Sequence, residues 1–352
     1  KRAFLPDFIQ YLTRFVDVYL TEGYGSRMGF SFDDYRQGNP RVFQSDRRTA
    51  FEQDFVMILR SPAEEEYCWI EPGSCLISML HYPTRPNRVE LLNSLHVNAI
   101  SLDSIVDDNN LRLVENMRAV AWNGIEVAFD DLQTLWPNLI RDPDNPFRVL
   151  ILGTGMVGKH AIEAATKLGN SQRNYSHMEK HGPGSIAISV GRNSIGNLPF
   201  MEAMIRQSDV LVDATQRRDP SVPVVPNEWI GWLPQHAVVV DLSVDPYLLD
   251  RVPPVVRGLE GIPQGNLDKY IFHPGDEDWD LTVPPAIPST HRRTTTTCYS
   301  WPGIHPEACM EHYGRQLEPL MEVLLQEEYE NIDLSGGYFS RALPPAKISP
   351  NP

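Results

Sequence analysis

Six residues, Gly153-Thr154-Gly155-Met156-Val157-Gly158, carry a spacing that lets a backbone hold a diphosphate. They follow a continuous apolar run, 148–152. They precede a stretch whose apolar positions Ala161, Ile162, Ala165 and Leu168 recur at three- and four-residue intervals. The pattern predicts a strand, a turn and an amphipathic helix. In such a unit the first glycine permits the tight turn. The second lets the backbone approach a pyrophosphate, and the third lets the helix pack on the strand. Free N–H groups and the helix dipole then face the phosphates. Gly153, Gly155, Met156, Val157 and Gly158 are therefore candidate contacts for a nicotinamide dinucleotide.

The second strand of such a unit commonly ends in an acid that bonds the ribose of NAD. Glu179 has about the right spacing, but it sits in a polar stretch, 170–184, with no strand character. The strand predicted at 186–190 ends in Gly191-Arg192-Asn193, without a carboxylate. A guanidinium there pairs with a 2′-phosphate, so the cofactor expectation is NADP or NAD, leaning to NADP. The alternative is a solvent-facing Arg192. Asn193 and the residues ending the next two apolar strands, Ala214, Thr215, Leu242 and Ser243, complete the candidate cofactor set.

Further strands are expected at 55–59, 75–80, 97–102, 210–214 and 238–242, and helices at 87–95, 126–140 and 306–328. Strands alternating with helices imply parallel α/β sheets. The apolar stripe Met310, Tyr313, Leu317, Leu320, Met321 and Leu324 reads as a core-facing helix side. Residues 141–146 read as a turn or hinge, 253–288 as a long loop region, and 344–352 as a disordered tail.

The 352 residues suggest two domains. A formal net charge of −15 makes nucleic acid an improbable partner. No apolar run reaches the length of a membrane span, and no secretory signal is visible. Cys68, Cys75, Cys298 and Cys309 form neither a CxxC pair nor a zinc-like spacing, which leads to the expectation of a reduced, cytoplasmic protein without a metal.

Several segments, in order, resemble the alanine dehydrogenase and transhydrogenase-domain superfamily, which includes saccharopine- and carboxyethyl-ornithine-type dehydrogenases. They are Glu22-Gly23-Tyr24-Gly25 with 29–35, the run 54–62, Leu80-His81-Tyr82, the run 239–245, and Trp301-Pro302-Gly303-Ile304-His305-Pro306. The resemblance implies two Rossmann-like domains with parallel sheets and an active-site cleft between them. It places a substrate domain at 1–127, completed by 300–345, an NAD(P)-binding domain at 128–299 and a tail at 346–352. It implies a homo-oligomer that passes hydride between a nicotinamide and an amino acid or 2-oxo acid. Residues 141–146 would then act as the closing hinge.

The same resemblance makes His81 the acid–base group, Asp245 the carboxylate that steadies an ammonium or iminium, and Arg60 the counterpart of a substrate-binding lysine. One of Lys1 and Arg2 would bind the substrate carboxylate; chemistry favours Arg2 and spacing favours Lys1. Each residue has a plainer reading: His81 as a strand-end histidine, Asp245 as a turn residue before Pro246, Arg60 as a salt-bridge partner. Several departures argue against plain alanine dehydrogenase activity: Arg60 for lysine, Ser300 for asparagine, and the added Arg292 and Arg293. The alternatives are an opine- or saccharopine-type enzyme that forms a secondary amine, and a non-catalytic nucleotide-binding protein. Arg292 and Arg293 would serve a larger or more acidic substrate, or form a solvated basic patch.

Overall fold

The structure, a computed structural model, describes residues 3–82, 85–327 and 329–349; Lys1 and Arg2 lie outside them. Two compact units are present, one made of Lys1–Asn116 with His305–Pro352, the other of Met117–Ile304.

In the first unit, β1 (Val18–Thr21) and β2 (Val42–Ser45) form a parallel pair. A separate sheet holds β3 (Phe55–Arg60), β4 (Cys75–Met79) and β5 (Asn98–Ser101), all parallel. Alternate residues along a strand face opposite sides, and the cores follow that rule. Leu59, Cys75, Ile77 and Ile100 enter one core, while Val56, Leu76, Leu80 and Ala99 enter another. Helix Pro306–Gln326 returns to the first of these cores with Met310, Tyr313, Leu317, Leu320, Met321 and Leu324, so that stripe is a core face. The helix continues through Pro319.

Residues 344–348 correct the expectation of a disordered tail. Lys347–Ile348 pairs antiparallel with β5, Ala346 and Ile348 are buried, and Lys347 Nζ donates to Tyr329 O. Polar, proline-rich composition hides this contact, because an edge strand needs only two residues of backbone pairing.

The second unit is built on β6 (Phe147–Leu152), β7 (Ser185–Val190), β8 (Val210–Asp213), β9 (Val238–Asp241), β10 (Ile271–Phe272) and β11 (Thr294–Thr297). Their order is β10-β11-β9-β8-β6-β7, parallel except for β10. Val149, Ile151, Val212 and Val240 fill the core on one face, and Leu150, Leu152, Leu211 and Val239 fill that on the other. Burial on both faces is why these strands read as unbroken apolar runs. After β6 the chain goes to β7 on one side, then to β8 on the other. That reversal opens a crevice at the carboxyl ends of the strands, where such sheets bind ligands.

Four other readings change. The helix expected at 126–140 is Met117–Leu135, nine residues earlier at its start, and it belongs wholly to the second unit. The polar stretch 170–184 contains helix Ser171–Glu179, capped by the Asn170 side chain on Gln172 N and Arg173 N. His177 on that helix is buried, and its Nε2 accepts from Gly184 N at 2.8 Å. The loop region 253–288 holds β10 and helix Glu277–Thr282. Residues 141–146 are not a hinge between units: the junctions fall at 116/117 and 304/305. The segment is a turn inside the second unit, with Asp142 accepting from Asp144 N and Asn145 Nδ2.

Ending the chain at Leu343 should lower the stability of the first unit by about 2–4 kcal/mol, through the lost burial of Ala346 and Ile348 and the bared edge of β5. Urea unfolding measures this; an unchanged midpoint would rule out a structural role for the C-terminal strand.

Candidate functional site

Gly153 ends β6 with φ of 112°, a conformation open to glycine and costly for other residues. A Cβ on it would drive into the Ala214 carbonyl at the end of β8, and one on Gly158 would drive into the Gly153 carbonyl. Both glycines are therefore required for β6, β8 and the following helix to meet. Gly155 differs, because a Cβ there meets nothing within 4 Å. It is the N-cap of helix Met156–Ala165, and no side chain caps that end. A helix start leaves its first N–H groups without carbonyl partners, and the space ahead of this one is open. These residues fit the pyrophosphate of a dinucleotide.

At the end of β7, Gly191 caps the short helix Arg192–Ile195. Arg192 and Asn193 are exposed, and Arg192 Nη2 donates to Gln216 O, beyond β8, at 2.9 Å. Glu179 ends a helix rather than a strand.

The ends of β8 and β9 carry a group of charges that sequence reading passed over. Asp213, Asp241 and Arg257 are all buried. Asp213 Oδ1 accepts from Thr215 N at 2.9 Å and Thr215 Oγ1 at 2.7 Å. Asp241 Oδ1 accepts from Ser243 N at 3.1 Å and Val244 N at 2.9 Å. Asp241 Oδ2 takes the Arg257 guanidinium and Thr297 Oγ1, and Arg257 Nη2 also donates to Thr297 Oγ1 at 2.7 Å. Trp301 Nε1 donates to Asp241 O at 2.7 Å. Burial, and then the charge of Asp241, pushes the Asp213 carboxyl up from 3.8 to about 6, against the bonds from Thr215.

Asp245 follows Val244, whose φ is 54°. A β-branched residue rarely holds that conformation, and here the Val244 N–H is held by Asp241. Asp245 Oδ2 pairs with Arg217 Nη2 at 2.7 Å. Arg217 is in turn anchored on the carbonyls of Pro220, Val222 and Val256.

His81 and Arg60 stand at the carboxyl ends of β4 and β3 in the first unit. His81 has φ of 50°. Its N–H meets Asp103 Oδ1 at 3.1 Å and its Nδ1 meets Asp103 Oδ2 at 3.0 Å. Ser101 Oγ donates to Asp103 Oδ1 at 3.0 Å. Burial raises the Asp103 carboxyl, but the His81 bonds and charge, with Ser101, outweigh it and bring it down to about 2. Arg88 donates to Leu80 O at 2.7 Å; burial, and then the charges of Arg85 and Arg60 among others, lower its pKa.

Residues 2–121 match the family described as alanine dehydrogenase/PNT, N-terminal domain. The alanine dehydrogenase of Bacillus subtilis (strain 168) is 23% identical over 246 residues, 65% of this chain and 62% of that protein. Alanine dehydrogenase 2 of Staphylococcus aureus (strain USA300) is 24% identical over 231 residues, 63% and 62% of the two chains. Residues 2–121 of the chain thus carry the N-terminal domain of the alanine dehydrogenase/PNT family. The chain's match spans about three fifths of the length of these curated relatives. Among solved structures, an L-alanine dehydrogenase aligns with a TM-score of 0.69 at 18% identity, covering 98% of this chain and 91% of that one. The transhydrogenase of Sinorhizobium meliloti aligns at 0.62 and 12% identity, covering 98% and 93%. Both share the fold of two Rossmann-like domains.

The second unit brings together Gly153, Gly155, Met156, Val157, Gly158, Ala214, Thr215, Leu242, Ser243 and Asp245 at the ends of β6, β8 and β9. Arg192 reaches the same edge through Gln216. His81 and Arg60 share the edge of the first-unit sheet. Arg292 and Arg293 are neither a substrate clamp nor a solvated patch. Arg293 is buried on the carbonyls of Gly231, Leu233, Pro234 and Arg292, and Arg292 pairs with Asp280. Asp103, Arg217, Asp213, Asp241 and Arg257 had gone unmarked in the sequence. The apolar runs ending in Asp213 and Asp241 were their one signal, since a carboxylate closing a doubly buried strand needs partners.

Asp213 binds its proton more tightly folded than unfolded. Its contribution to stability is therefore full below 3.8 and lost as pH rises through about 6. Between those values the chain should lose about 3 kcal/mol that Asp213→Asn does not lose. Denaturant midpoints of the two proteins at a series of pH values check this; parallel curves would contradict it.

Proposed function

We propose that the chain is an NAD(P)-dependent oxidoreductase of amino acids and their 2-oxo acids, using NADP in preference to NAD. The observation that carries the reading is the open, uncapped helix start at Gly155, set at the switch point of the parallel sheet. The cofactor supplies or accepts a hydride when bound. Everything else falls to the chain. The N–H groups after Gly155 hold the pyrophosphate, and Arg192 pairs with the 2′-phosphate.

Asp103 holds His81 by Nδ1 and by its backbone N–H. That keeps a hydrogen on Nδ1, and Nε2 is the ring nitrogen that exchanges a proton with the substrate carbonyl or amine. Arg60 clamps the substrate carboxylate in bidentate fashion, and Asp245, fixed by Arg217, balances charge on the nitrogen. The arginines that favoured a secondary-amine product, Arg292 and Arg293, are used up in structural contacts, so free ammonia is the preferred amine donor. The His81–Asp103 pair favours catalysis over nucleotide binding alone.

The test is oxidation of NADPH by the chain with a panel of 2-oxo acids and ammonia. His81→Ala should lower turnover by about 100-fold or more while nucleotide binding persists. Turnover that survives this change would exclude the assigned acid–base role, and turnover only with a second amino acid would favour the opine-type alternative. Gly155→Val should weaken NADPH binding by at least about tenfold without changing the unfolding midpoint, since its side chain has room in the fold but not beside a phosphate. Arg192→Ala should raise the Kd of NADPH about tenfold and leave that of NADH within about twofold. Equal effects on both would return the preference to NAD.

A further inference from the structure

Ser243 poses a hydrogen-counting problem. Its Oγ lies 3.0 Å from Asp213 Oδ2 and 3.0 Å from Asp241 Oδ1. A serine hydroxyl has one hydrogen to give, so it cannot satisfy two carboxylates. Both contacts are hydrogen bonds only if one acid carries a proton and donates it to Ser243.

The partners decide which acid that is. Asp241 accepts from two backbone N–H groups, from Thr297 Oγ1 and from the Arg257 guanidinium. Every one of these bonds favours the ionised form. Asp213 Oδ1 accepts from Thr215, but Asp213 Oδ2 meets Ser243 alone among the polar groups bonded to it, with the Gly258 backbone packed against it. The proton therefore sits on Asp213 Oδ2 and points to Ser243 Oγ, whose own hydrogen points to Asp241 Oδ1. Burial and the Asp241 charge push the Asp213 carboxyl up to about 6, which agrees with this assignment.

The charges around the pair can be counted element by element. The segment after β8 brings Arg217, which is balanced by Asp245 after β9. The segment at 257 brings Arg257, balanced by Asp241, with the Tyr247 ring 5.8 Å from the guanidinium carbon. β11 brings only the Thr297 hydroxyl. With Asp213 protonated the group is neutral. With Asp213 ionised it carries one net negative charge, buried at the carboxyl ends of β8 and β9, on the edge that bears the phosphate turn. Arg257 Nε and Nη1 are buried without hydrogen-bond partners among the described residues, so the charge has an adjacent cation to lean on.

We propose that Asp213, Ser243 and Asp241 form a one-proton switch in the cofactor crevice that makes the site prefer the oxidised, cationic nicotinamide when Asp213 is ionised and lose that preference when it is protonated. The inference rests on the cofactor assignment made above. An oxidised nicotinamide ring carries a positive charge and a reduced ring is neutral, so a buried charge change beside the site acts on one form and spares the other. Linkage requires the reverse effect: binding of the oxidised form expels the proton from Asp213. The loops that the two acids hold, at Thr215 and at Ser243–Val244, lie at the mouth of the crevice. The charge is thus built into the same bonds that shape the site.

The experiment is calorimetric titration of the full chain with NADP⁺, NADPH, NAD⁺ and NADH from about pH 5 to about pH 7.5. Titration of the phosphates is common to both oxidation states and cancels in the ratio of their Kd values. That ratio should shift about fivefold towards the oxidised form as pH rises, and buffers of different ionisation enthalpy should show proton release with NADP⁺ but not with NADPH. Asp213→Asn, whose amide can still donate to Ser243, should make the ratio independent of pH. Ser243→Ala, which keeps both acids and removes the shared hydroxyl, should move the midpoint to lower pH, because the protonated state loses both hydrogen bonds to the hydroxyl and the ionised state loses one; it decides the matter alone if Asp213→Asn does not fold. A pH-independent ratio in the unaltered chain overturns the switch, as does a pH dependence that survives Asp213→Asn or a midpoint unmoved by Ser243→Ala. Failure to bind any of the four nucleotides overturns the cofactor reading itself.

Discussion

Two parallel strands of the second unit, β6 and β8, end so close together that no side chain fits between their ends. Gly153 faces the Ala214 carbonyl, and Gly158 faces the Gly153 carbonyl. The rest of the site depends on this contact. It aims the start of helix Met156–Ala165 into the crevice and draws the Thr215 loop beside the phosphate turn. Leu242 N then bonds Asp213 O, so β9 and its loop take their place from β8. A methyl group on Gly153 or Gly158 would press on backbone, which cannot rotate aside as a side chain can. Gly155, on the same turn, is free of that pressure and leaves room for a ligand.

The next level of order is electrostatic. Strands buried on both faces need their last polar groups satisfied inside the protein. The acids ending β8 and β9 meet that need by holding the loops that follow them, through Thr215, Ser243 and Val244. Removing one partner of such a buried set would leave the others uncompensated. The same bonds hold Val244 in a backbone state that a β-branched residue avoids, and Asp245 is carried into its pairing with Arg217 by that bend. Local strain here is offset by hydrogen bonds from the buried acid beside it.

The first unit solves a similar problem with different residues. His81 also sits in a left-handed conformation just past a parallel strand, and a nearly buried acid, Asp103, holds it by both backbone and side chain. The histidine is thereby fixed in orientation. His81 and Asp103 both lie within residues 2–121, the segment that matches the alanine dehydrogenase/PNT N-terminal domain.

The amino-acid sequence alone was enough for the α/β class, the phosphate turn, the buried strands and the core stripe of helix Pro306–Gln326. Each of these depends on interactions within about ten residues or on a periodicity that local geometry imposes. Ordered motifs were enough to suggest the superfamily. Tertiary structure decided the rest. Arg292 and Arg293 looked like a substrate patch, yet their partners lie up to 62 residues away in sequence, at Gly231. The Lys347–Ile348 strand looked like a tail because its partner, β5, is about 250 residues earlier. Asp103, Arg217 and Arg257 were silent, since a charged residue in a loop has the same local signature whether it faces water or closes a buried network. The phosphate turn was visible because glycine spacing records a backbone constraint directly; the charges around it were not, because a side chain's partner is set only when distant strands come to lie side by side.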